Sequence, residues 1–157
     1  MTIGVGSSTA KDELSRFSTY NDLVDIVAPG QDILSLRAAG TDLYADAGEA
    51  GVHIVDDHYL IASGTSMSSP HAAGAAAVLL SFAPGLSNER VREILRASAD
   101  DIVDPFGNDS LNLPGFDRHT GAGRINLDRA LTMLPGVMIE VINPERGSRL
   151  AGEDVLV

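Results

Sequence analysis

The stretch Ser63-Gly64-Thr65-Ser66-Met67-Ser68-Ser69-Pro70-His71-Ala72-Ala73-Gly74-Ala75-Ala76-Ala77 carries small, turn-forming residues straight into an alanine-rich helical run. Ser66 therefore sits at a loop-to-helix junction. A hydroxyl there stands at the positive end of a helix dipole, beside backbone N–H groups with no intrahelical partner. Such a place suits a nucleophile whose attack creates an oxyanion. It equally suits an N-cap, because serine is a preferred capping residue. Local chemistry alone leaves both readings open.

A serine hydroxyl is a poor nucleophile at neutral pH. It needs a base to take its proton, a third group to orient that base, and donors for the oxyanion. The chain holds four histidines, His53, His58, His71 and His119. His71 follows Ser66 by five residues on the same expected helix, a spacing that turns its side chain away. His53 and His58 fall on a long connection, and His119 precedes a glycine-rich turn. His53, Asp56, Asp57 and His58 also raise a metal-site reading, to be set against the ordinary polarity of a hairpin tip.

The wider string decides between cap and nucleophile. Gly64 to Gly74 fill every position of G-T-S-M-[AS]-[ST]-P-H-x-A-G, which closely resembles the nucleophile motif of subtilisin-like serine proteases. The esterase elbow is a different pattern, with glycine two residues after the serine, where Ser68 stands here. Phe17-Ser18 with Asn21, and Val24-Asp25-Ile26 leading to Ala28-Pro29-Gly30, are similar to segments preceding that motif in the family. Thr2 to Gly6 is similar to the strand before them. Gly121-Ala122-Gly123-Arg124-Ile125-Asn126, and a helix ending in Ala130-Leu131, resemble the family's closing turn and helix. The resemblance covers about residues 2–134.

That resemblance implies an α/β fold, part of the doubly wound parallel sheet of subtilisin-like proteins. It implies a serine endopeptidase in which Ser66 attacks a peptide carbonyl. The backbone N–H of Ser66 would be one oxyanion donor, and Gly64 and Thr65 would shape the adjoining substrate pocket. The family's aspartate and histidine lie in earlier motifs similar to D-[ST]-G and H-G-T-H, and neither occurs here. The match begins near the midpoint of the family's catalytic domain, so the chain is expected to be inactive alone. Two alternatives remain: a non-catalytic binding or structural module that kept the fold, and a serine-carboxyl peptidase relative with glutamate as base. Met67 and Pro70-His71 favour the subtilisin-like pattern. The family implies a polypeptide substrate and a secreted or cell-envelope setting. Its chemistry needs no cofactor. A structural calcium is compatible with the family, but no metal is assigned; Asp25, a lone carboxylate on a strand, reads as solvated surface.

The elements that must position Ser66 read as follows. Residues 2–6 and 24–28 are expected strands, the second stopped by Pro29-Gly30. Ile33 to Leu36 is a third. His53 to Val55 and Tyr59 to Ile61 form a hairpin within an insertion. A helix over 66–82 is apolar almost all round and expected to be buried. Pro70 lies in its early turns and deprives the Ser66 carbonyl of its usual donor. Ser87 caps a second helix reaching about Ala99, with Val91, Ile94 and Leu95 inward and Arg90, Arg92, Glu93 and Arg96 outward. A third helix covers 127–134. The first domain is thus 1–134. Residues 135–157 read as a linker with strands 137–142 and 154–157, either the opening of an incomplete module that resembles the immunoglobulin-like β kind or a β-tail packed on the first domain.

Composition bounds the rest. The 157 residues suffice for one domain, and 44% are hydrophobic. Acidic residues outnumber basic ones 22 to 11, for a net charge of −11, and Lys11 is the only lysine. This argues against nucleic acid as a partner. No apolar run is long enough to span a bilayer. Met1 to Gly6 does not read as a signal peptide. Cysteine is absent, so disulfides play no part. Nothing in the sequence sets an oligomeric state.

Overall fold

A computed structural model describes residues 2–38, 53–56, 58–102 and 114–135. Its organising strand is β2 (Ile26–Pro29), whose Ile26, Val27 and Ala28 are wholly buried. β1 (Val5–Ser8) pairs parallel to it, with Val5 opposite Ile26 and Ser8 opposite Pro29. On the other edge, the Val27 N–H donates to the Gly123 carbonyl and the Val27 carbonyl accepts from the Ile125 N–H, both at 2.9 Å. α1 (Thr65–Phe82) packs on this sheet, and α2 (Asn88–Ala97) and α3 (Leu127–Thr132) pack on α1 and on each other. The core joins Ile26 to Ala72, Ala75 and Leu79 of α1, Val91, Ile94 and Leu95 of α2, and Ala130 with Leu134. A second, antiparallel sheet runs β3 (Ile33–Leu36), β5 (Tyr59–Ala62), β4 (His53–Val55) across.

The α/β class and the parallel pairing match the sequence reading, and β3, β4 and β5 fall where the pattern put them. The expected strands 137–142 and 154–157, and Asp57 of the hairpin turn, lie outside the described residues.

Several expectations need correction. β1 runs later than 2–6, because Ser7 and Ser8, wholly buried, continue the ladder past Gly6. The small side chain of Ser7 fits there and has hydroxyl partners close by. Ser7 Oγ shares a 2.8 Å hydrogen bond with Ser15 Oγ, and the Ser7 N–H donates to Ser18 Oγ at 2.9 Å. Ser15 is accordingly buried, although the polar run 9–16 reads from its sequence as a surface loop. Pro29 does not stop β2 but ends it in register with Ser8. A proline needs no donor at a strand terminus. The third helix ends at Thr132, two residues short.

The largest correction concerns α1. Only Ser68, Ala72, Ala75 and Leu79 are buried, a single stripe at helical spacing. The opposite face is exposed, with Leu80 at 39% and Phe82 at 57%. Apolar composition made the helix look wholly enclosed, yet the described elements pack against one side of it.

Asp25 is also corrected. It is 2% exposed, not solvated. Its carboxylate accepts from Arg92 at 2.6 Å and from the Gly4 N–H at 3.0 Å, with Arg96 at 3.6 Å. Arg92 and Arg96, read as outward-facing, turn in to neutralise it, as a buried charge requires. The hydrogen bond to Asp25 raises the Arg92 pKa against the opposing effect of burial.

The closing turn is held by a second acidic anchor. Asp100 and Arg124 exchange backbone hydrogen bonds of 2.7 and 2.8 Å. The Asp100 carboxylate accepts from Arg124 at 2.8 Å and Asn126 at 2.9 Å, and pairs with Arg129 at 2.7 Å. Arg124 reaches Asp12 as well. Gly123 sits at φ 108°, and a Cβ there would strike the Asp100 backbone. Burial alone would push the Asp100 carboxyl up. The bonds from Arg124 and Asn126 and the charges of Arg129 and Arg124 outweigh it and hold its pKa below the ordinary value. A depressed folded pKa gives stability that is present above the unfolded value, about 3.9, and lost as pH falls through the folded one. Urea denaturation across that acidic range should therefore show a steep loss of stability that Asp100→Asn makes shallower. An unchanged slope would count against the anchor.

Candidate functional site

The site is built where the ends of β2 and β5 meet the start of α1. β2 exits into Gly30 and β5 into Ser63-Gly64. The Gly64 N–H donates to the Gly30 carbonyl at 2.7 Å. Ser63 Oγ accepts the Asp32 N–H at 2.9 Å and reaches Asp32 Oδ1 at 3.3 Å. These bonds fix the loop from which α1 springs.

The N-cap of α1 is Gly64, with extended backbone and no side-chain capping bond. Ser66 is therefore not the cap, and its hydroxyl is not consumed by the role that local chemistry first offered it. It stands second in the helix and is exposed. Ser68, two residues on and some 200° round the helix, is wholly buried against the body of the protein. The first turn thus turns one serine inward and the other outward. The Ser66 N–H lies among the opening N–H groups of α1, which have no partner four residues back.

Pro70 sits within α1 and offers no N–H to the Ser66 carbonyl. Side chains bind the carbonyls on either side. Ser69 Oγ donates to the Thr65 carbonyl at 3.1 Å, and His71 Nδ1 lies 2.8 Å from the Met67 carbonyl. His71 is therefore engaged with its own helix.

Gly30 is the residue that sequence reading passed over. A Cβ there would lie inside contact distance of Ser68 Oγ, 2.5 Å from Ser7 Oγ and 2.8 Å from the Gly64 carbonyl oxygen. Three chain segments thus close on one Cα. Proline-glycine reads as a stop signal, and only the fold reveals that the glycine is an anvil for the serine-bearing turn. The inward role of Ser68 had a signal in the spacing 68, 72, 75, 79, which follows one helix face.

The remaining histidines are not brought to Ser66 by any described element. His53 and His58 are exposed at the hairpin, and His119 stacks on Tyr20 with ring centres 4.6 Å apart. Among the described residues no cluster of three or more His, Asp or Glu stands where it could hold a metal. No helix among them is long and apolar enough to cross a membrane.

Comparisons with known proteins show the family and the fold. The sequence profile of the subtilase family matches residues 1–123. The cell wall-associated protease of Bacillus subtilis is 30% identical over 190 residues, covering 97% of this chain and 19% of that protein. The thermophilic serine proteinase of a Bacillus species is 35% identical over 130 residues, covering 83% of this chain and 25% of that protein. Among solved structures, fervidolysin from Fervidobacterium pennivorans, a keratinolytic enzyme related to subtilisin, superposes with a TM-score of 0.63 at 30% identity. The overlap spans 83% of this chain and 19% of that one. The chain belongs to the subtilase family, and its fold is subtilisin-like. It spans about a fifth to a quarter of the length of these relatives.

The anvil gives a direct contrast. Gly30→Ala must displace backbone at Gly64, so it should cost about 2 kcal/mol or more in denaturation. Gly64→Ala meets nothing closer than Met67 Sδ at 3.6 Å from an extended backbone. It should change stability by less than about 1 kcal/mol. Equal losses would contradict the assignment.

Proposed function

We propose that this chain is the nucleophile-bearing part of a serine endopeptidase, with Ser66 as the attacking residue. The observation that carries the reading is the uncapped, exposed hydroxyl of Ser66, second in α1 within a complete G-T-S-M-[AS]-[ST]-P-H-x-A-G string. In the whole protein Ser66 Oγ would add to a peptide carbonyl after losing its proton to a histidine oriented by an aspartate. Its own backbone N–H would be one donor to the oxyanion, strengthened by the helix dipole. Gly64 and Thr65 would line the adjoining substrate cleft. The base and its orienting acid would come from outside this chain, which is why the chain alone should be inactive.

The uncovered face of α1, with Ala73, Gly74, Ala77, Leu80 and Phe82, fits a helix enclosed by further parts of a catalytic domain. The chemistry needs no cofactor, and we assign no structural calcium. A polypeptide substrate and a secreted or cell-envelope setting accord with the relatives' names. Residues 135–157 are read as a linker and the start of a β module.

The test is covalent. The full-length protein should react with a fluorophosphonate probe, and Ser66→Ala should not. The isolated 157 residues should remain unlabelled. Equal labelling of the full-length protein and its Ser66→Ala variant would overturn the reading.

A further inference from the structure

Beside the serine-bearing turn lies an open pocket of about 400 Å³, lined by the loop after β1 on one side and by Asp32 and Ser63 on the other. Its volume falls in the range of ligand pockets, roughly 300–1,000 Å³. Ser63 precedes Ser66 by three residues, so their Cα atoms are at most about 11 Å apart. The cavity wall is therefore within about three extended residues of the bond that Ser66 would attack.

The lining is amphipathic. Leu14 and Phe17 supply an apolar wall, and Phe17 is 46% exposed into solvent. Glu13 and Asp32 bring two carboxylates against the single guanidinium of Arg16. Asp32 is the most firmly placed of the three. Its N–H and carboxylate both engage Ser63 Oγ, at 2.9 and 3.3 Å, and its backbone is held at φ 58°. A fixed carboxylate in the same pocket as an aromatic side chain suits a long side chain with an apolar stem and a cationic head. The excess of acidic over basic residues in the chain, 22 to 11, draws such substrates in the same direction.

We propose that this cavity takes a lysine or arginine side chain of the polypeptide substrate, with Asp32 and Glu13 as its specificity-determining residues. The inference rests on the peptidase reading but is tested by binding, without turnover. Full-length protein carrying Ser66→Ala is titrated by fluorescence polarisation with labelled alanine-based octapeptides. A single Lys, norleucine or Glu is walked through their positions. At one position Lys should bind about fivefold more tightly than norleucine, the scale of an exposed charge pair. Glu13→Gln with Asp32→Asn should bring that ratio to about one. Asparagine accepts a positive φ, so the Asp32 backbone is not strained by the change. No position favouring Lys, a Lys preference that survives the double change, or a Glu preference abolished by Arg16→Gln would overturn the proposal. Failure of the peptidase reading would appear separately, as a lack of Ser66-dependent probe labelling.

Discussion

The structure depends on a close approach of backbone to backbone at Gly30. β2 ends there, the turn before α1 bonds to its carbonyl, and Ser68 and Ser7 press on its Cα. A helix can be held at one end by a capping side chain, but α1 has none. Its start is located instead by contact with a strand that is buried and paired on both edges. Rigidity is thus passed from the middle of the sheet to the first turn of the helix. The consequence is geometric: with Ser68 locked inward, Ser66 must face outward, because the two lie on opposite sides of one turn.

The same logic explains the acidic anchors. Net charge is −11, and loose carboxylates would repel one another across a small domain. Asp25 and Asp100 instead gather arginines from distant parts of the chain. Asp25 ties the entry of β2 to α2 through Arg92, and Asp100 ties the end of α2 to the closing turn through Arg124. Both lie beside β2. The strand that carries the anvil is therefore braced at its start by one ion pair and along its outer edge by a turn that another holds in place.

Much of this was legible in the sequence. Alanine-rich helix, hairpin and amphipathic α2 follow from propensity and periodicity, and the serine motif from its residue order. What stayed hidden depended on contacts between distant segments. Burial of Asp25 is not visible until Arg92 folds onto it. The extension of β1 through Ser7 is accompanied by hydroxyl partners at Ser15 and Ser18. The exposed side of α1 was misread because apolar composition reports what a helix can bury, not what is present to bury it. Gly30 looked like punctuation because a proline-glycine pair carries the same letters whether it ends a strand or supports a turn.

The central claim is that Ser66, uncapped and turned outward, is the residue that attacks. Mass spectrometric mapping of the full-length protein after treatment with a small organophosphate ester tests it at the level of the atom. The account predicts one adduct within the 63–69 segment, localised by fragmentation to Ser66, with Ser63, Ser68 and Ser69 unmodified. An adduct on any of those neighbours, or none on a protein that cleaves peptides, would contradict it.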